Sequence, residues 1–372
     1  MTAPPPFTTL TNLSLGGQIL FATDEWFAAA DNLLSPTEPI FIADKFTEFG
    51  KWMDGWESRR KRIAGHDWCI LQLGLRGKIT GIEVDTAFFT GNNAPRVSIQ
   101  AANLPADVGQ SLIRPRRMGT AASLQEFKDV EDLFHSDSWT ELLPRSPLGP
   151  GYEEARHNYF EIAHDQVVTH LRVNMFPDGG IARLRVYGVV SVDWSKVTGR
   201  VDLVAASNGG TVVHYSDAHY GEPRNLLRPG RGVNMGDGWE TARKKTRPAV
   251  LTVDAQGLLH VPGSDFVVLK LGHAGVVDEI EVDTAHFKGN FPESCFVEGC
   301  YFHGSDDKAV VTQGKWTAVM ARTKLTANAI HRFKPLSSAT QPINYVRLTM
   351  YPDGGISRFR LFGTKAADPS RL

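Results

Sequence analysis

The sequence predicts an all-β protein, built as a tandem duplicated jelly-roll β-sandwich. Three observations predict this class: the chain repeats itself, apolar residues alternate with period two in many short runs, and Gly, Pro and Asp separate those runs. Such alternation gives a strand one buried and one solvated face, and many short strands at regular spacing are typical of sandwiches. Helical patterning is scarce and is clearest in "SLQEFKDVEDLF" (123–134).

The internal repeat is long and keeps its order, which marks two homologous units. We expect an N-terminal jelly-roll repeat over 1–192, a linker over 193–204, a C-terminal jelly-roll repeat over 205–365 and a flexible tail over 366–372. The recurring strings are "WMDGWESRRKR" (52–62) and "MGDGWETARKK" (235–245), "GHDWCILQLG" (65–74) and "GSDFVVLKLG" (263–272), "GIEVDTAFFTGN" (81–92) and "EIEVDTAHFKGN" (279–290), and "MFPDGGIARLRVYG" (175–188) and "MYPDGGISRFRLFG" (350–363).

The strands of the first repeat follow in chain order. "CILQLGL" (69–75) is a short apolar run bounded by glycine near its end. Period-two alternation then continues in "ITGIEVDTAFF" (79–89), "THLRVNMF" (169–176) and "IARLRVYG" (181–188). Each of these runs is therefore predicted to be a half-buried strand, and the second repeat carries matching runs.

The string "PDGG" (177–180) predicts a tight turn between the last two of these strands. Proline presets φ, and we expect both glycines to accept positive φ. In the strand that follows, Arg183 and Arg185 share one face. Two interpretations stay open: a structural hairpin that both repeats need, or Asp178 and Arg183 placed at a sandwich end where a ligand binds.

The bulk composition limits the partners and the compartment. A formal net charge of −1 gives no sign of a nucleic-acid or membrane partner, and the N-terminus lacks the features of a secretory signal. Three irregularly spaced cysteines argue for a reducing compartment, so a cytoplasmic location is predicted. The terminal "SRL" (370–372) differs by one conservative change from the peroxisomal address Ser-Lys-Leu, which leaves peroxisomal import open for a eukaryotic source. Exposed sheet edges predict a homo-oligomer.

The densest polar cluster is "KWMDGWESRRKR" (51–62). Its carboxylates, Asp54 and Glu57, can hold or transfer protons, and its guanidinium groups, Arg59 and Arg60, can clamp a substrate carboxylate. A surface turn that only plugs the core with Trp56 is the competing interpretation. Charges placed between tryptophans favour a partly desolvated cleft.

Two further polar groups accompany that cluster. Asp85 and Thr86 end a strand, and Asn92 follows two aromatic residues, an arrangement that suits a small polar ligand but also an Asx-type turn. Asp24 adds another carboxylate, whose structural alternative is a capping role. His157 and His331 stand at similar places in the two repeats. The repeats differ where Arg59-Arg60 is replaced by Ala-Arg in the second copy, so one repeat could hold the better site.

A family resemblance rests on these ordered strings. "FATDEWFAAADNLL", "GKWMDGWESRRKR", "GHDWCILQLG", "VDTAFFTGN" and "FPDGGIARLRVYG" closely resemble the allantoicase family, over about 14–365. The resemblance implies jelly rolls similar to galactose-binding domains. It also implies a hydrolase of linear amidines that converts allantoate to ureidoglycolate and urea in purine breakdown.

The implied chemistry can be matched to residues of this chain as hypotheses. Glu57, with Asp24 or Asp54, is assigned the acid–base work. A cation for the substrate carboxylate is assigned to Arg59, Arg60 or Arg183. Acceptors for the urea N–H groups are assigned to Asp54, Asp85 and Asn92, and Thr86 is assigned to substrate binding beside them. A divalent metal such as Mn²⁺ suits such a hydrolase, but no ligand set can be named and metal dependence stays open.

Two alternatives to this enzyme stay open at the level of sequence. A tandem pair of such jelly rolls could be a non-catalytic module that binds a carbohydrate or a protein. A second repeat that has lost one arginine could serve assembly alone, so the sequence does not decide whether one or both repeats are active.

Overall fold

The computed structural model describes residue 5 and residues 11–113, 115–246, 248 and 250–367. The chain divides between Ser191 and Val192 into two compact units, here called the amino-terminal and carboxyl-terminal lobes. Regular structure in both is mostly β, and each lobe has its own hydrophobic core, so the predicted fold class is confirmed. The "SRL" string and most of the predicted tail lie outside the described residues.

The amino-terminal lobe contains fourteen strands among its described residues, and one α-helix, α1 (Leu124–Phe134). Short 3-10 helices cover Ala30–Leu34, Gln110–Leu112 and Ser136–Ser138. The strands are β1 (Thr11–Asn12), β2 (Gln18–Ala22), β3 (Asp24–Glu25), β4 (Phe46–Thr47), β5 (Gly50–Lys51), β6 (Trp56–Glu57), β7 (Asp67–Asp85), β8 (Arg96–Ala102), β9 (Thr120–Ala121), β10 (Thr140–Pro147), β11 (His157–Glu161), β12 (Val167–Phe176), β13 (Gly180–Ile181) and β14 (Arg183–Val190).

One long strand, β7, organises this lobe. Its first half pairs with β2 and β12, and its second half pairs with β11 and β14, all antiparallel. Cys69 thus lies opposite Val173, and Val84 lies opposite Leu184. The sheet runs β1-β14-β7-β12-β8-β10. The strand β7 thus belongs to both halves of the sheet, the half with β2 and β12 and the half with β11 and β14. The sheet folds over itself, and apolar side chains from both halves meet in one core.

The carboxyl-terminal lobe repeats this plan, with a long strand over Asp265–Asp283 (β18) in the place of β7. Its sheet runs in the order β15 (Arg200–Asp202), β24 (Arg358–Lys365), β18, β22 (Ile343–Tyr351), β19 (Ser294–Cys300) and β20 (Thr317–Lys324). A short helix, α2, covers Val310–Gln313, and 3-10 helices cover Ala206–Asn208, Pro223–Leu227, Met235–Asp237 and Asp307–Ala309. The strands are β15 (Arg200–Asp202), β16 (Thr211–Tyr215), β17 (Trp239–Glu240), β18 (Asp265–Asp283), β19 (Ser294–Cys300), β20 (Thr317–Lys324), β21 (Ile330–Phe333), β22 (Ile343–Tyr351), β23 (Gly355–Ile356) and β24 (Arg358–Lys365).

Helix α1 confirms the one helical pattern found in the sequence. Ser123 and Glu126 form a reciprocal capping box at its start, so two otherwise unpaired backbone N–H groups find partners. Val130 and Phe134 are its buried residues. No helix among the described residues is long and apolar enough to cross a membrane.

The predicted turn at 177–180 is present between β12 and β13, but its two glycines serve different needs. Gly179 has a positive φ of 129°, as expected, whereas Gly180 is not among the positive-φ residues. Gly180 is required for space, because a Cβ there would collide with the ring of Phe89. Gly355 faces Phe287 in the same way in the carboxyl-terminal lobe. The expectation of positive φ at Gly180 was therefore wrong.

This close approach predicts the effect of a single methyl group. Gly180→Ala forces the Phe89 ring or the turn to move, and such overpacking typically costs about 1–3 kcal/mol. The matched control is Gly91→Ala, because nothing lies within 4 Å of a Cβ there. We expect Gly180→Ala to lower the urea midpoint of the amino-terminal lobe, and Gly91→Ala to change stability by less than about 0.5 kcal/mol. Equal midpoints for the two variants would contradict the packing explanation.

Candidate active site at the loop end of the amino-terminal lobe

Both ends of β7 lie at one end of the amino-terminal lobe. The Asp67 N–H at its start donates to the Pro177 carbonyl, and the Asp85 carbonyl at its end accepts from the Ala182 N–H. The turn from β12 to β14 therefore touches both ends of one strand. Ser58 and Ala94 N–H groups donate to carbonyls of the same turn, so the loops that carry the predicted polar residues converge here.

Glu57 is held at this end by β6, which pairs with β13 so that Gly180 lies opposite it. Its side chain is 9% exposed. Asn92 Nδ2 donates to its Oε1 at 2.6 Å, while Oε2 accepts no hydrogen bond from any described residue. Burial raises the pKa of Glu57 to about 7, and the Asn92 amide offsets only part of that rise. We call these two residues the Glu57–Asn92 pair.

Asp24 and Arg59 form a second pair beside the first. Arg59 Nε donates to Asp24 Oδ2 at 2.8 Å, and the Arg59 and Trp26 N–H groups donate to Asp24 Oδ1. The Arg59 guanidinium also lies 4.3 Å from the centre of the Trp26 ring. Arg60 is exposed and makes no ion pair within the described ranges. Asp24 therefore braces two loops, and Arg60 presents an unneutralised positive charge.

Asp54 and Arg183 form an ion pair between a partly buried carboxylate and a buried guanidinium, rather than two independent groups. Arg183 is 1% exposed, and its Nη2 donates to Asp54 Oδ2 at 2.8 Å. Its remaining N–H groups donate to backbone carbonyls of Thr37, Asp54 and Ala182. The same pair recurs in the carboxyl-terminal lobe as Asp237 and Arg358. A pair made twice, with its hydrogen-bonding capacity used inside the fold, is suited to holding the loops in place.

Asp85, at the end of β7, belongs to a cluster of charged side chains. Its Oδ2 accepts from Arg156 at 2.7 Å, and its Oδ1 accepts from the Ala87 N–H. Glu83, two residues earlier on the same strand face, contacts His157 Nδ1 at 2.8 Å and accepts from the Tyr187 hydroxyl at 2.9 Å. Thr86 is fully buried and donates to the Gly149 and Arg156 carbonyls.

Burial and neighbouring charge oppose one another in this cluster. Burial raises the pKa of Asp85, and the Ala87 N–H and the Arg156 charge only partly offset it. Burial also acts to raise the pKa of Glu83, but the hydrogen bond with His157 and the Arg185 charge outweigh it and lower that pKa. The hydrogen bond to Glu83 raises the pKa of His157. Glu83 and His157 therefore each favour the charged form of the other.

Glu83, Asp85 and His157 are also the one set of three potential metal ligands found among the described residues, with donor atoms within 4.8 Å of one another. Two carboxylates and an imidazole suit a divalent cation. The arrangement does not fit one as it stands, because a guanidinium lies 2.7 Å from Asp85 and each carboxylate already has protein partners. As arranged, these three side chains form charge pairs within the protein and not a metal site.

The equivalent carboxylates of the carboxyl-terminal lobe, Glu281 and Asp283, are neutralised by different arginines. Arg231 Nη1 lies 2.5 Å from Glu281 and 3.1 Å from Asp283, and Arg332 also reaches Glu281. In the aligned loops Arg231 takes the place of Glu38, which in the amino-terminal lobe pairs with Arg156 and Arg185. The carboxyl-terminal cluster therefore has a positive loop residue where the amino-terminal cluster has a negative one. It also has no histidine in the position of His157.

Several residues of this end were not found by sequence reasoning. Glu83, Arg156 and Glu38 were missed, although period-two alternation in "GIEVD" already places Glu83 and Asp85 on one face. The predicted equivalence of His157 and His331 was wrong. His157 lies opposite Asp85, whereas His331 lies opposite Val282, one residue out of register and hence on the other face of its strand.

Comparison with known proteins adds independent evidence. A family model described as "Allantoicase repeat" matches residues 8–191 and again 201–366. A "Probable allantoicase" of Pseudomonas savastanoi pv. phaseolicola is 43% identical over 360 residues, 96% of each chain. A "Probable allantoicase" of Acinetobacter baylyi is 40% identical over 364 residues, 97% of this chain and 96% of its own. The crystal structure of allantoicase from Saccharomyces cerevisiae matches with a TM-score of 0.67 at 34% identity, covering 95% of this chain and 92% of that chain.

Proposed function

The chain belongs to the allantoicase family, and we propose that it hydrolyses allantoate to ureidoglycolate and urea at the Glu57–Asn92 pair. Membership of this family favours the enzyme over the non-catalytic binding module. The observation that carries the choice of site is the buried Glu57 carboxyl, whose pKa of about 7 leaves it partly protonated near neutral pH. A group of this kind can both donate and accept a proton under the same conditions.

The reaction needs one proton transfer in each direction. Asn92 occupies Oε1 of Glu57, so the proton resides on Oε2, which has no described partner. As the carbon–nitrogen bond to one ureido group breaks, Oε2 gives its proton to the leaving nitrogen, and urea departs. A water molecule then adds its oxygen to the carbon and returns a proton to the Glu57 carboxylate. The products are urea and ureidoglycolate, and Glu57 is restored to its acid form.

The other predicted residues are assigned roles that fit their positions. Arg60, exposed and without an ion pair among the described residues, is proposed to bind the substrate carboxylate. Asp24 with Arg59 is proposed to position the loop that follows Glu57, because the Asp24 carboxylate accepts from both the side chain and the backbone N–H of Arg59. The buried residues Asp85, Thr86 and Arg183 are proposed to support the loops from beneath, because a bound substrate could not reach them without rearrangement. Asp54, which is partly buried, is proposed to share this role because its Oδ2 is bonded to Arg183.

The direct experiment incubates the purified full-length chain with allantoate and measures urea and ureidoglycolate. We expect equal amounts of the two products. Arg60→Met is expected to raise KM by about tenfold or more, because a charge-assisted hydrogen bond to the substrate is lost. Absence of urea release from the wild-type chain would refute the proposed activity. Unchanged KM in Arg60→Met would refute only the role of Arg60.

The pH dependence of kcat/KM follows from the acid form of Glu57. The protonated carboxyl donates in the first step, so the active fraction of the free enzyme falls as pH rises through about 7. On this alkaline limb of the profile, we expect kcat/KM to be highest below about pH 7 and to fall about tenfold per pH unit well above it. Glu57→Gln should lose this limb, because an amide does not titrate. A profile that stays flat between pH 6 and 9 would exclude Glu57 as the acid.

The compartment and assembly remain proposals. We propose a cytoplasmic location, supported by three free, buried cysteines whose thiol pKa values are raised by burial. Cell fractionation tests it. We also propose that the chain forms a homo-oligomer, and sedimentation of the pure protein tests this.

A further inference from the structure

A second concavity opens beside the Pro177 turn of the amino-terminal lobe. Its volume is about 560 Å³, within the range of small-molecule sites. It shares no lining residue with the Glu57–Asn92 pair. Strand ends β8, β10 and β12 contribute to it, together with the residues just before β7. The lining includes Pro95, Arg96, Arg145, His66 and Phe176.

This concavity is positively charged and partly aromatic. The Arg145 guanidinium lies 3.7 Å from the centre of the Phe176 ring, and the His66 ring lies 4.4 Å from the same ring centre. His66 Nε2 contacts Asn174 Oδ1 at 3.0 Å, which fixes the ring. No carboxylate lines the concavity, and neither Arg96 nor Arg145 makes an ion pair within the part of the chain that the structure describes.

The carboxyl-terminal lobe provides a comparison, because sheet register equates the two copies. Phe176 lies opposite Arg96 in one lobe, and Tyr351 lies opposite Ser294 in the other. The arginine on the neighbouring strand, Arg322, lies 4.1 Å from the Tyr351 ring centre. In that lobe, however, the arginine is already satisfied.

Arg322 is satisfied by residues that the amino-terminal lobe lacks. It donates to Ser294 Oγ at 2.7 Å and to Glu293 at 3.2 Å. At the corresponding positions the amino-terminal lobe has Arg96 and Pro95, so it loses the carboxylate and gains a cation. One copy of the fold therefore neutralises this arginine internally, while the other leaves two guanidinium groups to be neutralised from solution.

We propose that the concavity of His66, Arg96 and Arg145 is a binding site for a small oxyanion, a carboxylate or a phosphate. Guanidinium groups bind both through paired N–H donors, and the Phe176 ring holds Arg145 from behind. This site is independent of the proposed hydrolysis, because its residues take no part in the chemistry at Glu57.

Calorimetric titration of the full-length chain tests the proposal, with sodium oxalate and sodium phosphate as separate probes at low and near-physiological ionic strength. Two variants weaken the site differently: Arg145→Met removes a guanidinium, and Pro95→Glu introduces the carboxylate that the other lobe carries. Each is expected to weaken binding roughly ten- to a hundredfold, as for loss of a charge-assisted hydrogen bond. Arg322→Met, the matched control, is expected to leave binding unchanged.

The outcomes separate clearly. Saturable binding of either probe that both variants weaken supports the site, and the tighter probe identifies the anion class. The proposal is overturned if neither probe binds, if Arg145→Met binds as the wild type does, or if Arg322→Met loses as much affinity. Neither probe carries a ureido group, so these results and the urea assay succeed or fail separately.

Discussion

Glu57→Gln is expected to lower kcat for allantoate hydrolysis by about 10²–10⁴-fold, the usual contribution of a positioned acid or base. Glutamine keeps the size of the side chain and can still bond to Asn92, but it has no proton to give to the leaving nitrogen. KM should change little, because substrate binding is assigned to other groups. Steady-state urea release at saturating allantoate measures the loss.

The carboxyl-terminal lobe contains the control for this substitution. Glu240 accepts from Asn290 at 2.5 Å, just as Glu57 accepts from Asn92, but Glu240 is only partly buried. Glu240→Gln should retain most activity if the amino-terminal lobe carries the reaction. A large loss in Glu240→Gln with little in Glu57→Gln would move the chemistry to the other lobe. Full activity in both variants would show that neither Glu57 nor Glu240 is the catalytic acid.

Arg183→Met is expected to destabilise the amino-terminal lobe by about 3–5 kcal/mol, because it removes a buried guanidinium that bonds to Asp54 and to three backbone carbonyls. Methionine fills much of the space, but Asp54 loses its ion-pair partner and, among the described residues, keeps only the Ile40 N–H as a donor to Oδ2. Three backbone carbonyls also lose a donor. Amide hydrogen exchange followed by mass spectrometry measures the change locally. Exchange should accelerate in β6, β13 and β14 while the carboxyl-terminal lobe stays protected.

Two other arginines test whether burial causes the effect. Arg60→Met removes an exposed guanidinium and should change stability by less than about 0.5 kcal/mol. Arg358→Met, which breaks the same pair in the second copy, should accelerate exchange in the carboxyl-terminal lobe instead. A loss below about 1 kcal/mol in Arg183→Met would show that Asp54 finds solvent or another donor.

The fold was predictable because its signals are local and appear twice. Period-two runs predicted the strands that became β7, β12 and β14, and the helical pattern of 123–134 predicted α1. Short elements were less visible. Strands such as β6 and β13 have two residues each, too few for any periodicity, and they form only because the Gly180 turn brings them together.

The site was predictable in part for the same reason. Glu57 could be chosen because it lies in a polar cluster directly after Trp56, but its partner Asn92 lies thirty-five positions away, and no spacing rule joins them. Asp54 and Arg183, chosen as separate functional groups, lie against each other across 129 positions. Sequence shows which residues carry charge, whereas burial and pairing across the chain decide which charges remain available to a ligand.

The central position of β7 has a consequence for synthesis on the ribosome. The second half of β7 is complete at residue 85, but its β14 partner begins at residue 183. At a translation rate of about 5–20 residues per second, the edge of β7 that pairs with β14 stays unpaired by that strand for roughly 5–20 seconds. The amino-terminal sheet can nevertheless close before any of β18 is made, because all its strands precede residue 191. Because of the duplication, the nascent chain can complete one sheet and then the other, and each sheet pairs only strands of its own repeat.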